Sequence, residues 1–418
     1  MEEYRTYTLE ELSIGKGNYG IAASAVPFEV SLHTYLRITD INDDGSLNKS
    51  GLMSVDEDDA EKYLLKPNDI VFARTGNSTG RSYFYDGSDG ELVYAGFLIK
   101  FSLDSAKVNP RILKYYTHSK PYYDWVLSFG TGSTRGNINA KTYANMPITL
   151  PSRDIQDIIV DILKSLDDKI EVNRRINDNL EQQAQALFKS WFVDFEPFRD
   201  QPFVESELGM IPEGWRVVSL DEMTSKFGTG LNPRKNFKLG EGNNYYVTIK
   251  NMGNNRVYLD DKCDKVNDEA VEKINKRSKL QKGDLLFSGI GTIGRVALIT
   301  ETPTNWNTSE SVFNLHPSEI VSSEFLYILL LSDVFQQYVK LHAQGGVQQG
   351  IRMASLKDYK MAIPKYSIIR EFDNKIVPLV SLAKSNDDET DRLASLRDTL
   401  LPRLMSGELK VNEIENAI

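Results

Sequence analysis

The 418-residue sequence has little of what metal centres, disulfide-stabilised folds and membrane proteins are built from. It contains one cysteine, Cys263, and four scattered histidines, so it offers no metal-ligand spacing and no internal disulfide. No run approaches the roughly 18 consecutive apolar residues of a membrane-spanning helix, and the acidic start lacks the basic-then-apolar layout of a signal peptide. We therefore expect a cytoplasmic protein in a reducing compartment.

Motifs that mark common enzyme active sites are also missing. There is no Walker A pattern and no Gly-x-Ser-x-Gly nucleophile turn. The segment GIGTIG at residues 289–294 matches the glycine spacing of a dinucleotide-binding loop, and Glu310 follows about 20 residues on. However, residues 295–300 are typical of a strand rather than a helix, and Pro303 follows, so we interpret these glycines as part of a β-turn. No catalytic residue, metal ligand or cofactor is predicted for this chain.

The charge balance is acidic. The formal net charge is −10, which argues mildly against nucleic acid as a partner because DNA binding depends on Lys and Arg neutralising phosphates. Acid is concentrated in two short runs, residues 56–61 and 386–391, which we interpret as solvated loop or helix faces. Since charge can be segregated, the balance does not exclude a DNA-binding surface elsewhere.

The chain nearly repeats itself after about 213 residues. The segment DIVF at residues 69–72 is echoed by DLLF at residues 284–287, and Leu180 in a helical pattern is echoed by Leu393 at the same phase. Tyr-Arg-x-x-x-Leu at residues 4–9 is echoed by Trp-Arg-x-x-x-Leu at residues 215–220. One unit, a globule followed by a long helix, has therefore been duplicated. Two similar halves suit a target that has two parts.

Apolar residues recur at spacings of three and four in two long stretches, which predicts two amphipathic helices with coiled-coil-like stripes. A helix over residues 152–194 would be roughly 60 Å long and would need a partner for its stripe. We therefore predict an α+β fold: two similar mixed α/β domains, separated by two long antiparallel helices that form a coiled coil, with pseudo-twofold symmetry. The predicted segments are a first domain at 1–151, a first helix at 152–194, a linker at 195–212, a second domain at 213–364, a second helix at 365–405 and a tail at 406–418.

Each predicted domain carries loops that combine glycine with Arg, Asn, Gln, Ser and Thr. Arg can contact guanine edges and Asn or Gln adenine edges, while Ser, Thr and backbone N–H groups can hold phosphates. Any one loop could be an ordinary turn, but the loops recur at matched places with different side chains, as two different DNA half-sites would require. The candidate DNA-binding residues are Arg74, Thr75, Asn77, Arg81, Thr134, Arg135 and Asn137 in the first half, and Arg234, Lys235, Thr292, Arg295, Gln348, Gln349 and Arg352 in the second.

Three segments give the chain a family resemblance. They are GWRVVSL at residues 214–220, LEQQAQALFKSWFVDF at residues 180–195 and LLPRLMSGELKV at residues 400–411. With them, the whole chain resembles a specificity subunit of a type I restriction-modification system, one that carries target recognition domains. Tyr4 is a minor departure, since the first domain of such subunits usually opens with tryptophan.

The resemblance implies a division of labour. Such subunits bind double-stranded DNA in two parts, one half-site per domain, with the paired helices setting the spacing, and they carry no active site. Two modification subunits holding S-adenosylmethionine methylate adenine N6, and restriction subunits that use ATP and Mg cleave the DNA. This chain contains no Pro-Pro dipeptide, so the Asp/Asn-Pro-Pro-Tyr/Phe motif of adenine methyltransferases is absent from it.

The aromatic end of the first helix has two interpretations. It could be core packing where helix meets globule, or an exposed apolar patch that docks a modification subunit, as the resemblance implies. The candidate partner-binding residues are Phe188, Trp191, Phe192 and Phe195, with Leu400, Leu401 and Leu404 as their counterparts in the second half. An alternative function, a coiled-coil scaffold that reads no DNA, would leave the polar loops unexplained.

Overall fold

Two compact units are defined by the contacts of the computed structural model, which describes residues 4–129, 136–346 and 349–409. Unit 1 comprises Met1–Val172 and Asp388–Ile418, and unit 2 comprises Asn173–Asp387. Both long helices run through both units, because the chain passes from one unit to the other within each of them. Every contact described below lies within one unit.

Unit 1 contains nine strands and three short helices in its described residues, besides its parts of the long helices. The strands are β1 (Arg5–Thr8), β2 (Asn18–Tyr19), β3 (His33–Leu36), β4 (Met53–Val55), β5 (Asp69–Ala73), β6 (Ser82–Tyr85), β7 (Leu92–Tyr94), β8 (Leu98–Ser102) and β9 (Pro147–Leu150). The helices are α1 (Pro110–Tyr116), α2 (Lys120–Leu127), α3 (Ala140–Ala144) and the start of α4 (Arg153–Phe192).

The main sheet of unit 1 has the order β2-β8-β5-β6, with all neighbours antiparallel. Strand β5 lies between two others and all five of its residues are buried, which is why its sequence is a continuous apolar run after Asp69. A smaller sheet has the order β4-β3-β7, in which β3 and β7 are parallel. Strands β1 and β9 pair antiparallel and bring the beginning and end of the globule together.

Unit 2 contains thirteen strands in its described residues. They are β10 (Phe203–Ser206), β11 (Gly209–Pro212), β12 (Arg216–Ser219), β13 (Thr224–Thr229), β14 (Asn244–Val247), β15 (Met252–Gly253), β16 (Arg256–Val257), β17 (Asp264–Val266), β18 (Leu285–Ser288), β19 (Val296–Leu298), β20 (Trp306–Thr308), β21 (Val312–Pro317) and β22 (Lys360–Ile363). Its helices are α5 (Asp268–Ser278), α6 (Ser323–Leu331), α7 (Asp333–His342), α8 (Met353–Lys357) and the start of α9 (Tyr366–Ser406).

The sheets of unit 2 repeat those of unit 1. The order β13-β21-β18-β19 matches the main sheet, and β17-β14-β20 matches the smaller sheet, again with one parallel pair. Strands β12 and β22 pair as β1 and β9 do. Unit 2 adds the hairpins β10–β11 and β15–β16, and it has the helix α5 where unit 1 has a short 3-10 helix at Ala60–Tyr63. The duplication and the mixed α/β domains predicted from the sequence are thus confirmed.

A buried aspartate at the start of the central strand explains one of the sequence echoes. In unit 1, Asp69 accepts a hydrogen bond from the backbone N–H of Lys66 (2.8 Å) and forms an ion pair with Lys100 (3.1 Å). In unit 2, the counterpart Asp284 accepts from the backbone N–H of Gln281 (3.0 Å) and contacts His316 (2.7 Å). Burial raises the pKa of Asp284. Both carboxylates cap the turn that leads into the strand, so the aspartate is repeated for a structural reason.

The two long helices pack against each other within each unit. In unit 1, Leu163 of α4 lies in one core with Leu404 of α9, and Asp167 forms an ion pair with Arg397 (3.0 Å). In unit 2, Phe192 contacts Phe372 edge to face, with ring centroids 4.8 Å apart. As the residue numbers rise along α4, the numbers of the contacting residues in α9 fall, from Leu404 to Arg397 to Phe372. The helices therefore run antiparallel, as predicted.

A polar layer interrupts the apolar stripe of the helix pair in unit 2. Asn173 is fully buried, and its side-chain amide donates to the backbone carbonyl of Asn386 (3.4 Å). The Asn386 amide donates to Oδ1 of Asn177 (2.9 Å), whose own amide donates to Oδ1 of Asp387 (2.9 Å). A buried polar layer of this kind favours one register of two helices over its neighbours, since a slip leaves the amides unpaired.

Candidate nucleic-acid interface

In unit 1 the structure brings the two polar loops predicted from the sequence together. The backbone N–H of Ile138 donates to the carbonyl of Arg74 (2.9 Å), and Thr75 and Asn137 form an isolated β-bridge. The Thr79 hydroxyl donates to the carbonyl of Gly136 (3.0 Å). The loop after β5 and the segment before α3 therefore form one surface, although more than 50 residues separate them.

Unit 2 has the same pairing at equivalent positions. The backbone N–H of Ile351 donates to the carbonyl of Gly289 (2.9 Å), and Ile290 bridges to Gly350. The N–H of Gly291 donates to the carbonyl of Gln349 (2.8 Å). We call residues 74–81 with 136–139, and residues 288–295 with 349–352, the paired loops of units 1 and 2.

A third segment joins each pair of loops. The backbone N–H of Arg74 donates to the carbonyl of Phe97 (3.1 Å) in the β7–β8 turn, and the N–H of Gly289 donates to the carbonyl of Ser311 (2.9 Å) in the β20–β21 turn. Just after β2 and β13, a glycine passes so close to this turn that a side chain cannot fit. A Cβ on Gly20 would lie 2.2 Å from the carbonyl oxygen of Tyr94, and one on Gly230 would lie 1.7 Å from that of Thr308. The convergence of these segments is thus built into both halves.

Two of the predicted DNA-binding arginines make polar contacts within their own unit. Arg81 donates from Nη1 to the carbonyl of Ile41 (3.0 Å) and forms an ion pair with Asp43 (2.6 Å). Its counterpart Arg295 donates from Nη1 to the carbonyls of Ile249 (2.9 Å) and Met252 (2.5 Å). In both units the guanidinium fixes the loop that follows the central strand of the smaller sheet. Both side chains thus stabilise the fold of their unit, and the DNA-binding role predicted for them stays a prediction.

Arg74 is placed differently. Its guanidinium carbon lies 5.0 Å from the centroid of the Tyr19 ring, and its Nε is buried without a hydrogen-bond partner among the described residues. Tyr19 is 41% exposed, and its hydroxyl accepts from the backbone N–H of Ala140 (3.1 Å) at the start of α3. Sequence reasoning missed Tyr19, although it lies in a glycine-bearing segment like those that were singled out.

The remaining predicted residues differ in exposure. Exposed side chains are those of Asn77, Asn137, Arg234, Lys235, Thr292, Gln349 and Arg352, while that of Thr75 is partly buried. Thr134, Arg135 and Gln348 lie outside the described residues. Gln349 and Arg352 flank the backbone contacts that pair the loops of unit 2. Arg277, which sequence reasoning also missed, is exposed on α5 and donates to the hydroxyl of Thr229 (3.1 Å) beside Gly230.

A cavity of about 230 Å³ borders the loop at residues 74–81 and is lined among others by Asn77, Arg81, His118 and Tyr123. Burial lowers the pKa of His118 to about 4, so this imidazole is neutral at physiological pH. In the described ranges, no group of three or more His, Cys, Asp and Glu side chains is arranged to hold a metal ion. The charged side chains of the lining are Arg81 and Asp43, which form an ion pair with each other.

The aromatic end of α4 is core, not surface. Phe188, Trp191 and Phe192 are buried in the core of unit 2, and Phe195 packs against it partly buried. Leu401 and Leu404 are buried in the core of unit 1, with Leu400 partly buried beside them. Of the two interpretations, core packing at the junction between helix and globule is the one that this burial supports, and a partner-binding role for these residues stays a prediction. Of the described helices, none is long and apolar enough to cross a membrane.

Comparison with known proteins agrees with this architecture. The family model "Type I restriction modification DNA specificity domain" matches twice, at residues 3–182 and 212–381. The chain therefore belongs to this family, and it is a DNA specificity subunit of the type I restriction-modification class.

Individual relatives are distant but cover most of the chain. The HindI specificity subunit of Haemophilus influenzae is 27% identical over 413 residues, covering 83% of this chain and 88% of that protein. The MjaIX specificity subunit of Methanocaldococcus jannaschii is 26% identical over 305 residues, covering 72% and 69%. Among solved structures, a type I S subunit from M. genitalium superposes with a TM-score of 0.51 at 16% identity, covering 97% of this chain and 96% of that one. That likeness supports the fold.

Proposed function

We propose that each unit reads one half of a bipartite DNA sequence through its paired loops. The observation that carries this proposal is the repetition of one backbone arrangement with different side chains. In unit 1 the carbonyl of Arg74 accepts from the N–H of Ile138, and in unit 2 the carbonyl of Gly289 accepts from the N–H of Ile351. The backbone contact is the same, but an arginine in unit 1 is replaced by a glycine in unit 2. A conserved backbone with changed side chains presents two different sets of groups to two different half-sites.

The exposed side chains of the paired loops are suited to reading base edges. Asn137 in unit 1 and Gln349 in unit 2 carry amides that can bond bidentately to adenine, and Arg352 can do so to guanine. Arg234 and Lys235 are exposed on the loop after β13, where they can neutralise phosphates without reading sequence. Local clusters such as these explain how an acidic chain binds DNA, since affinity depends on the cations at the interface.

We assign the chemistry to partners. In this proposal the chain works in the cytoplasm with two modification subunits, which bind S-adenosylmethionine and methylate adenine, and with restriction subunits that use ATP and Mg. The specificity subunit contributes no catalytic residue. Family membership and the absence of a Pro-Pro dipeptide from the sequence support this division.

Methylation mapping of the assembled complex tests the reading role. We expect the wild-type complex to methylate a two-part sequence, and Gln349→Ala or Arg352→Ala to relax single positions of one half-site only. A lost bidentate contact should reduce discrimination by about 1–3 kcal/mol, roughly 5–150-fold. Arg370→Ala removes an exposed charge from α9 of the same unit and should leave the sequence preference unchanged. Methylation without sequence preference would instead favour a coiled-coil scaffold that reads no DNA.

A further inference from the structure

Arg74 differs from Arg81, the other described arginine of the paired loops of unit 1, in having no polar partner for its guanidinium among the described residues. Arg81 is engaged by Asp43 and by the carbonyl of Ile41. The Arg74 guanidinium has no hydrogen bond or ion pair with any residue in the described ranges and rests on the face of Tyr19, 5.0 Å from the ring centroid. The ring contacts only the flat face of the guanidinium, and since Nε is buried, the two Nη groups are the donors left to contact another molecule.

Hydrogen bonds of the surrounding backbone fix the positions of both Arg74 and Tyr19. The backbone of Arg74 is bonded on both sides, to Phe97 (3.1 Å) and to Ile138 (2.9 Å), so its Cα position is fixed. Tyr19 belongs to β2, which pairs with β8, and its hydroxyl accepts from the N–H of Ala140 (3.1 Å). The ring is therefore anchored at its backbone and at its hydroxyl, while 41% of the residue remains exposed. An anchored ring restricts the conformations of the arginine above it.

Unit 2 has no arginine stacked on a tyrosine at the equivalent positions. The position equivalent to Arg74 is Gly289, where a Cβ would lie 2.4 Å from the ring of Phe313. The position equivalent to Tyr19 is Thr229, which is buried and accepts from Arg277. The pair of Tyr19 and Arg74 is thus specific to unit 1 rather than part of the duplicated framework.

We propose that Tyr19 is a positioning residue that holds Arg74 so that its guanidinium contacts a guanine in the half-site read by unit 1. This rests on the proposed function. Two parallel N–H donors of arginine match O6 and N7 of guanine in the major groove, and an arginine held in one orientation loses less conformational entropy on binding. The chemistry of the recognised group is therefore a purine edge with two acceptors.

The test uses the full chain in complex with its modification subunits and a set of duplexes in which each position of the unit 1 half-site is varied singly. Arg74→Ala should abolish most of the preference for guanine at one position, a loss of roughly tenfold or more. Tyr19→Ala should weaken the preference at the same position, whereas Tyr19→Phe, which keeps the ring and loses only the hydroxyl anchor, should retain most of it. Tyr123→Ala removes another exposed tyrosine of unit 1, 43% exposed, and should change no position.

Arg74→Lys separates base reading from phosphate binding without touching Tyr19. Lysine keeps the charge but lacks the planar fork, so the guanine preference should fall while the salt dependence of overall binding stays the same. The inference is overturned if Arg74→Lys behaves as wild type, if Tyr19→Ala slows methylation equally at all positions, or if the affected base is not guanine. A wild-type complex without any preference in either half-site would overturn the proposed function itself.

Discussion

Gly20 and Gly230 show how strongly single residues constrain this fold. A Cβ at Gly230 would lie 1.7 Å from a backbone carbonyl oxygen that cannot move without displacing β20. We expect Gly230→Ala to destabilise unit 2 by about 1–3 kcal/mol or more, as overpacking of a fixed backbone does. Thermal unfolding measures this. Gly253→Ala, where the nearest atom to a new Cβ is 3.6 Å away, should shift the midpoint little, and equal shifts for both variants would contradict the close-approach argument.

Asp373, on α9 in unit 2, provides a pH-dependent test. Burial raises its pKa to about 6, with Glu324 adding to the effect, although the Ser322 hydroxyl donates to it (2.8 Å). A pKa higher in the folded than in the unfolded state means that the folded state binds the proton more tightly. The ionised carboxylate therefore costs stability above pH 6, and this cost disappears as the pH falls from about 6 to about 4.

Asp373→Asn should accordingly raise the stability of unit 2 at pH 7.5 by about 1–2 kcal/mol, allowing for partial exposure, and have little effect near pH 4. Urea unfolding at the two pH values gives the comparison. Glu371→Gln, at an exposed acid on the same helix and in the same unit, serves as the matched control. A gain that is the same at both pH values would show that burial of the charge is not its cause.

At the residue scale, the sequence predicted the polar loops but not the use of each side chain. Glycine and polar clusters reveal a loop because they are a local property of the chain. The internal partners of Arg81 and Arg295 lie about 40 residues away, and the ring beneath Arg74 is 55 residues away, so no local pattern reveals which arginine is held by polar groups and which by a ring.

At the element scale, the helix pair combines an apolar stripe with one polar layer. Apolar periodicity predicted both long helices, because a buried stripe must recur every three to four residues. It did not predict the layer of Asn173, Asn177 and Asn386, since asparagines are also common on exposed faces. The layer is visible only when both helices are in place, because each side-chain NH₂ group donates to an acceptor on the opposite helix.

The polar layer of Asn173, Asn177 and Asn386 predicts that substitutions within it have non-additive effects on the free energy of unfolding. Asn177→Leu removes a partner from Asn386 and Asp387 and should destabilise unit 2 by about 1–3 kcal/mol, because the groups left behind stay desolvated. Replacing Asn177 and Asn386 together by leucine should recover much of that loss. A double-mutant cycle of urea unfolding measures the coupling, and strictly additive effects would rule out the network.

At the scale of the whole molecule, the helix α9 serves two cores in turn. Ile376 is fully buried in the core of unit 2 and Leu404 is 1% exposed in the core of unit 1. The sequence predicted globules and helices as separate segments, because periodicity identifies helices but not the core to which each turn belongs. Long-range packing decides that assignment.

Two cavity-creating substitutions, one in each part of α9, test whether this helix contributes to two separate cores. Leu404→Ala should destabilise unit 1, and Ile376→Ala should destabilise unit 2, each by about 2–5 kcal/mol. Hydrogen exchange followed by mass spectrometry should show faster exchange of β5 and β8 in the first variant and of β18 and β21 in the second. Faster exchange of all four strands in either variant would indicate one cooperative core instead of two.

The nesting of unit 2 between the two parts of unit 1 sets an order of events during synthesis. Residues 173–387 contain every contact that defines unit 2, so that unit can fold while the ribosome is still adding residues. Unit 1 must wait, because Leu401, Leu404 and Met405 complete the core begun by Leu9 and Leu12. Unit 1, whose first part is synthesised before unit 2, is thus the last to complete its core. Until then the apolar side chains of that core are exposed to chaperones and proteases.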